Sequence, residues 1–101
     1  MKLLQLEFNH FFEVVAETKR AQAAVMTLPP GQRTGGEDNV HETSDQWLFV
    51  VSGRGEATVA GERVTLAPGS LLIIEAGETH EIAAQSAEPL RTLNLYTPPE
   101  Y

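Results

Sequence analysis

The chain contains no cysteine. That excludes a disulfide-stapled scaffold, thiolate metal sites and cysteine nucleophiles. Basic residues are scarce, with seven Lys and Arg against fourteen Asp and Glu and a net charge of −7. Affinity for nucleic acid rests largely on neutralising phosphates, so no nucleic-acid partner is expected, and no anionic membrane surface either. Long hydrophobic runs are also missing. None approaches the roughly 18 apolar residues of a membrane span. In the opening MKLLQLEF, Glu7 interrupts the apolar run before it reaches signal-peptide length. The expectation is a soluble, cytoplasmic protein. No serine stands in a nucleophile-elbow context, and GQRTGG (31–36) lacks the Lys-Ser/Thr that would make it a phosphate loop.

What the chain does have is strand periodicity. A length of 101 residues bounds it to one domain with one core. FFEVVAE (11–17) and QAAVMTL (22–28) flank the polar TKRA and read as a hairpin. The punctuated stretch LPPGQRTGG (28–36) reads as a loop. Short runs follow at regular spacing: QWLFVV, EATVA, RVTL, LLIIEA, HEIAA and LRTLNLYT. The tail PPEY cannot continue a strand. About eight short strands separated by turns predict an all-β antiparallel barrel or sandwich. Residues 1–27 are expected to form N-terminal strands packing on the barrel or on a partner, and 28–101 the barrel itself.

One strand is apolar on both faces. Gln46, Leu48 and Val50 share one side, and Trp47, Phe49 and Val51 the other. A small barrel has one interior, so the second face needs cover, and a homodimer is the simplest source of it.

Two spaced motifs run through these strands. The first reads Asn39-x-His41, four residues, Gln46, six residues, Gly53, and it resembles a motif of the cupins, a family that has His-x-His, Glu and Gly at these positions. The second reads Gly69, five residues, Glu75-Ala76-Gly77, two residues, His80, where the family has Gly, Pro-x-Gly and His. Fifteen residues separate Gly53 from Gly69, as in the family's compact form. The resemblance spans about Leu28 to Tyr96 and implies the double-stranded β-helix, or jelly-roll, barrel.

The resemblance also implies a metal site. Carried over position by position, the ligands are Asn39, His41, Gln46 and His80, so two imidazoles remain and two donors have become neutral amides. Asn39 and His41, two apart on a strand, would point the same way. The implied cofactor is a divalent ion: zinc, nickel, iron or manganese. An amide oxygen holds an ion more weakly than a carboxylate but leaves its charge uncompensated, so a bound water or carbonyl would be more strongly polarised. A small polar molecule in the barrel mouth is the expected ligand, with Glu75 and Tyr96 as candidate contacts. Glu75 has a second role open to it, capping its own turn through the Gly77 or Glu78 amides. No residue is assigned as catalytic. The alternative is a non-catalytic binding or sensing module that has lost its full ligand set.

Overall fold

The computed structural model describes residues 1–36 and 40–101. Nine strands run in the order β1 (Phe12–Glu17), β2 (Gln22–Leu28), β3 (Arg33–Val40), β4 (Asp45–Ser52), β5 (Gly55–Val59), β6 (Glu62–Leu66), β7 (Leu71–Ile74), β8 (Thr79–Ala84) and β9 (Leu90–Thr97). Two antiparallel sheets face each other, one of order β1-β2-β9-β4-β7 and one of order β3-β8-β5-β6. The fold is all-β, as the turn spacing predicts. Among the described residues there is no helix, and so none long and apolar enough to cross a membrane.

Register explains which side chains meet. In the larger sheet the inward rows are Gln22–Tyr96–Gln46–Ile74, then Ala24–Asn94–Leu48–Leu72, then Met26–Thr92–Val50. From the other sheet Ala57, Ile82 and Ala84 close the interior. The core therefore sits at one end of the barrel, around Met26, Leu28, Leu48, Val50, Leu66 and Leu90. Leu48 is fully buried, so Leu48→Ala would cost about 2–5 kcal/mol through lost burial and the cavity left behind.

One sequence expectation is corrected here. The stretch read as a loop ends early, because β3 begins at Arg33 and pairs with β8. Ladder hydrogen bonds come from the backbone, so Gly35 and Gly36 join a strand that no side-chain alternation announces. The turn between β5 and β6 is Ala60–Gly61, both with positive φ, as a two-residue type I′ hairpin requires. At Gly53, between β4 and β5, φ is +84° and a Cβ would run into the Pro89 carbonyl. Only glycine fits there.

β2 is part of the barrel sheet: it pairs with β9 along its whole length and contributes Ala24, Met26 and Leu28 to the interior. The outward rows Leu95–Trp47–Ile73 and Leu93–Phe49–Leu71 leave a bare apolar face. Trp47 and Phe49 are each 41% exposed and Leu71 is 56% exposed.

Candidate functional site

The mouth-end row of the larger sheet carries Gln22, Tyr96 and Gln46 beside Ile74, and the rows beneath are aliphatic apart from Asn94 and Thr92. Gln22, Tyr96 and Gln46 are register partners and face inward side by side. His80 enters from β8 of the facing sheet, opposite Gly36. His41 was expected on a strand. β3 ends at Val40, however, and His41 reaches the interior from the loop before β4, where its carbonyl accepts the Gly77 N–H at 2.8 Å. His41, His80 and Gln46 are all buried, and the two imidazole centroids lie 4.8 Å apart. Asn39 lies outside the described residues.

A chain of amides fixes which atom Gln46 shows to His41. The Ala24 carbonyl can only accept, so the end of Asn94 that faces it at 3.5 Å is the Nδ2 donor. Asn94 Nδ2 also donates to Thr92 Oγ1 at 3.0 Å. Asn94 Oδ1 then accepts from Gln46 Nε2 at 3.0 Å, which leaves Gln46 Oε1 to face His41 Nε2 at 3.2 Å. On its other side, His41 Nδ1 stands 2.7 Å from Glu100 Oε1. Acceptor oxygens therefore flank both ring nitrogens.

The tail 98–101 completes the wall through Tyr101, a role that a strand-ending PPEY does not announce. Gln22, only 1% exposed, holds this tail by its backbone. Its Oε1 accepts the N–H groups of Glu100 (3.2 Å) and Tyr101 (2.8 Å), and its Nε2 donates to the Tyr101 carbonyl (2.6 Å) and Glu17 Oε1 (2.7 Å). Ser44 adds a bond to the Pro98 carbonyl at 2.6 Å. Glu100 is thereby delivered to His41. Tyr101 meets Phe12 and Tyr96 edge-on, with centroids 5.0 and 5.1 Å away.

These groups surround a cavity of about 140 Å³. Phe12, Tyr96, Tyr101, Met26 and Ile82 supply its apolar wall, and His41, His80 and Gln46 its polar end. Burial pushes the Tyr96 hydroxyl far above its ordinary value, reinforced by Tyr101 and Glu100. Burial likewise raises Tyr101, against the hydrogen bond from Tyr96. Burial lowers His80; the Glu78 carbonyl opposes that shift and neighbouring His41 adds to it. The two phenols and His80 are therefore uncharged at neutral pH.

Comparison with known proteins decides the family. The cupin domain model matches residues 24–96. The chain belongs to the cupins. An uncharacterized protein of Streptomyces coelicolor is 43% identical over 56 residues, which cover 55% of this chain and 52% of that one. The match thus spans about half the length of this curated relative. A solved structure from Thermus thermophilus is 30% identical with a TM-score of 0.78, covering 86% of this chain and 81% of that chain. One from Bacillus halodurans has a TM-score of 0.85 at 23% identity, covering 90% and 72%, and is a likeness of fold alone.

Of the cupin ligand positions, His41, Gln46 and His80 thus converge on one cavity. Tyr96 lines it too. Glu75 does not: it is exposed on the β7–β8 turn. The turn is capped by Glu78, whose Oε1 accepts the Glu75 N–H at 2.8 Å. Among the described residues, no three His, Asp or Glu side chains are placed to hold a metal ion. The Gln46 amide oxygen, 3.2 Å from His41 Nε2, is a neutral oxygen donor beside the two imidazoles, a donor set that divalent ions accept.

Sequence reasoning missed Glu100, Tyr101, Gln22 and Asn94. A signal existed for two of them. Asn94 alternates in phase with Leu90, Thr92 and Tyr96, and Gln22 with Ala24, Met26 and Leu28. A polar residue in phase with a buried row needs a partner.

Proposed function

We propose that this cupin binds a small molecule in the cavity beside its two buried histidines, with a divalent cation held by His41, His80 and Gln46. The observation that carries this is the amide chain from Ala24 through Asn94, which turns Gln46 Oε1 onto His41 Nε2. When bound, the ion would supply Lewis acidity, polarising a carbonyl or lowering the pKa of a water. The chain's own residues do the rest. Glu100 sets the ring orientation of His41 through Nδ1, the usual place for the outer partner of a metal-binding histidine. The Glu78 carbonyl stands in the same relation to His80 Nδ1, at 3.4 Å. Gln22 seats the tail that carries Glu100 and Tyr101.

Elemental analysis of untagged, chelator-free protein, followed by calorimetric titration with zinc or nickel, tests the assignment. Stoichiometric binding that His41→Ala and His80→Ala abolish supports it. One observation favours a non-catalytic binding module instead: both polar ends of Gln46 already have protein partners. An ordered protein that takes up no ion would decide for the module.

We further read the bare outer face of the larger sheet as the contact between two copies. Its apolar rows are continuous across β9, β4 and β7. A side chain left half in water there gains by association.

A further inference from the structure

We propose that the cavity takes an uncharged monocyclic phenol, with its ring among Phe12, Tyr96 and Tyr101 and its hydroxyl toward Gln46 and His41. This rests on the reading of the cavity as the ligand site, and needs no metal.

Size comes first. The cavity, about 140 Å³, is close to the roughly 150 Å³ of an apolar cavity that takes up benzene. It accommodates one six-membered ring with small substituents. The wall then selects what kind of ring. Tyr101 meets Phe12 at an interplanar angle of 62° and Tyr96 at 84°, so ring edges as well as ring faces border the space. Flat aromatic ligands continue such a packing through edge-to-face and offset contacts.

The lining favours an uncharged ring. Among the described residues lining the cavity none is Lys, Arg, Asp or Glu, so apart from the two imidazoles no ionisable side chain of that kind is there to pair with a charged ligand. The nearby carboxylate, Glu100, is already engaged by His41 and Ser44.

The polar end names the functional group. Gln46 presents an acceptor oxygen whose orientation the amide chain fixes, and His41 Nε2 stands beside it. A hydroxyl both donates and accepts, so it can serve Gln46 Oε1 and the ring nitrogen together. A carboxylate offers Oε1 only a second acceptor. Phenol meets the demands of size, ring and hydroxyl together.

The test uses the full chain, stripped with chelator, titrated with phenol, cyclohexanol, benzoate and benzylamine. Binding is followed by calorimetry and by amide chemical shifts. Phenol should bind with millimolar affinity or better, and the other three at least tenfold more weakly. Its shifts should fall on His41, His80 and Tyr96. Tyr101→Ala should weaken phenol at least fivefold while leaving the remaining spectrum folded. Benzoate or benzylamine binding as tightly as phenol would overturn the proposal. So would phenol shifts confined to Trp47, Phe49 and Ile73 on the outer face. Zinc titrated into the same protein reports separately. Phenol binding without zinc binding keeps this inference and removes the metal site, and zinc binding without phenol binding does the reverse.

Discussion

Replacing Gln46 by Glu puts the amide chain and the cation position to a single test. The two side chains are nearly isosteric, but the new carboxylate has no N–H to give Asn94 Oδ1, which now receives one at 3.0 Å. Turning the Asn94 amide over would restore that contact. It would also take Nδ2 away from Thr92 Oγ1 and the Ala24 carbonyl. Without an ion, then, Gln46→Glu buries a charge and opposes two acceptors at a position only 4% exposed. Such losses cost about 2–4 kcal/mol. For a domain of about 100 residues, each kcal/mol lowers the melting temperature by roughly 4–8 °C. A drop of about 8–32 °C in chelator is therefore expected. With an ion the sign reverses. At an effective dielectric constant near 20, unit charges about 4 Å apart attract by about 4 kcal/mol, and a dication gains more. Desolvation and the lost Asn94 bond cancel much of this, leaving a gain of about one to two orders of magnitude in zinc or nickel affinity. Thermal unfolding of both proteins in chelator and in excess zinc reads the two effects side by side. Equal melting temperatures in chelator together with equal ion affinities would refute the reasoning, because Gln46 would then touch neither Asn94 nor a bound ion.

Gln22→Ala removes four hydrogen bonds, three of them to the backbone of Glu100 and Tyr101, and should cost about 2–4 kcal/mol. Amide hydrogen exchange at Tyr101 should accelerate with it, and unchanged exchange would show that the tail is held by other means. Tyr96 and Tyr101 are raised above 10.0 in the folded chain, so above pH 10 the native state retains protons that the unfolded state loses. Stability should therefore fall as pH rises past 10, and Tyr96→Phe should flatten that limb of a denaturant-midpoint profile. His80 is shifted the other way, below 6.5, so metal-free protein should lose stability as pH falls below 6.5, where the unfolded chain takes up the proton first. For the outer face, Trp47→Lys with Ile73→Lys should turn a dimer into a monomer by light scattering. A wild-type monomer at about tens of micromolar would count against the dimer, since a standard-size interface associates in that range.

Most of the fold was legible because burial leaves an imprint of period two. β4 reads Gln46, Leu48, Val50 on its inner face and Trp47, Phe49, Val51 on its outer face, and the structure sorts them that way. β3 left no such imprint. RTGGEDNV offers one apolar side chain in eight residues, and its place in the sheet comes from backbone pairing with β8. The site divides along the same line. His41, Gln46 and His80 are implied by the resemblance to two cupin motifs, each of which lies within one short window of the chain. Glu100 meets His41 across 59 residues of sequence and Tyr101 meets Gln22 across 79, so no window of sequence holds both partners.

The location of the site was nonetheless written into the inner rows. Along β9 the inward residues run Leu90, Thr92, Asn94, Tyr96; along β4 they run Val50, Leu48, Gln46; along β8, Ala84, Ile82, His80. Each series passes from aliphatic to polar toward the same end of the barrel. A buried polar side chain is costly unless partnered, so three strands that all place polar residues at one end must be partnering one another or a ligand there. The structure supplies the internal partners: Asn94 with Gln46, Gln46 with His41, His41 with Glu100. What those bonds do not fill is the space beside them, about 140 Å³. A core built only for stability would close that volume with methyl groups, because an unfilled void forfeits packing energy. The polar end and the open volume occur together at the mouth of this barrel. That conjunction, more than either histidine alone, is what supports the proposed ligand site.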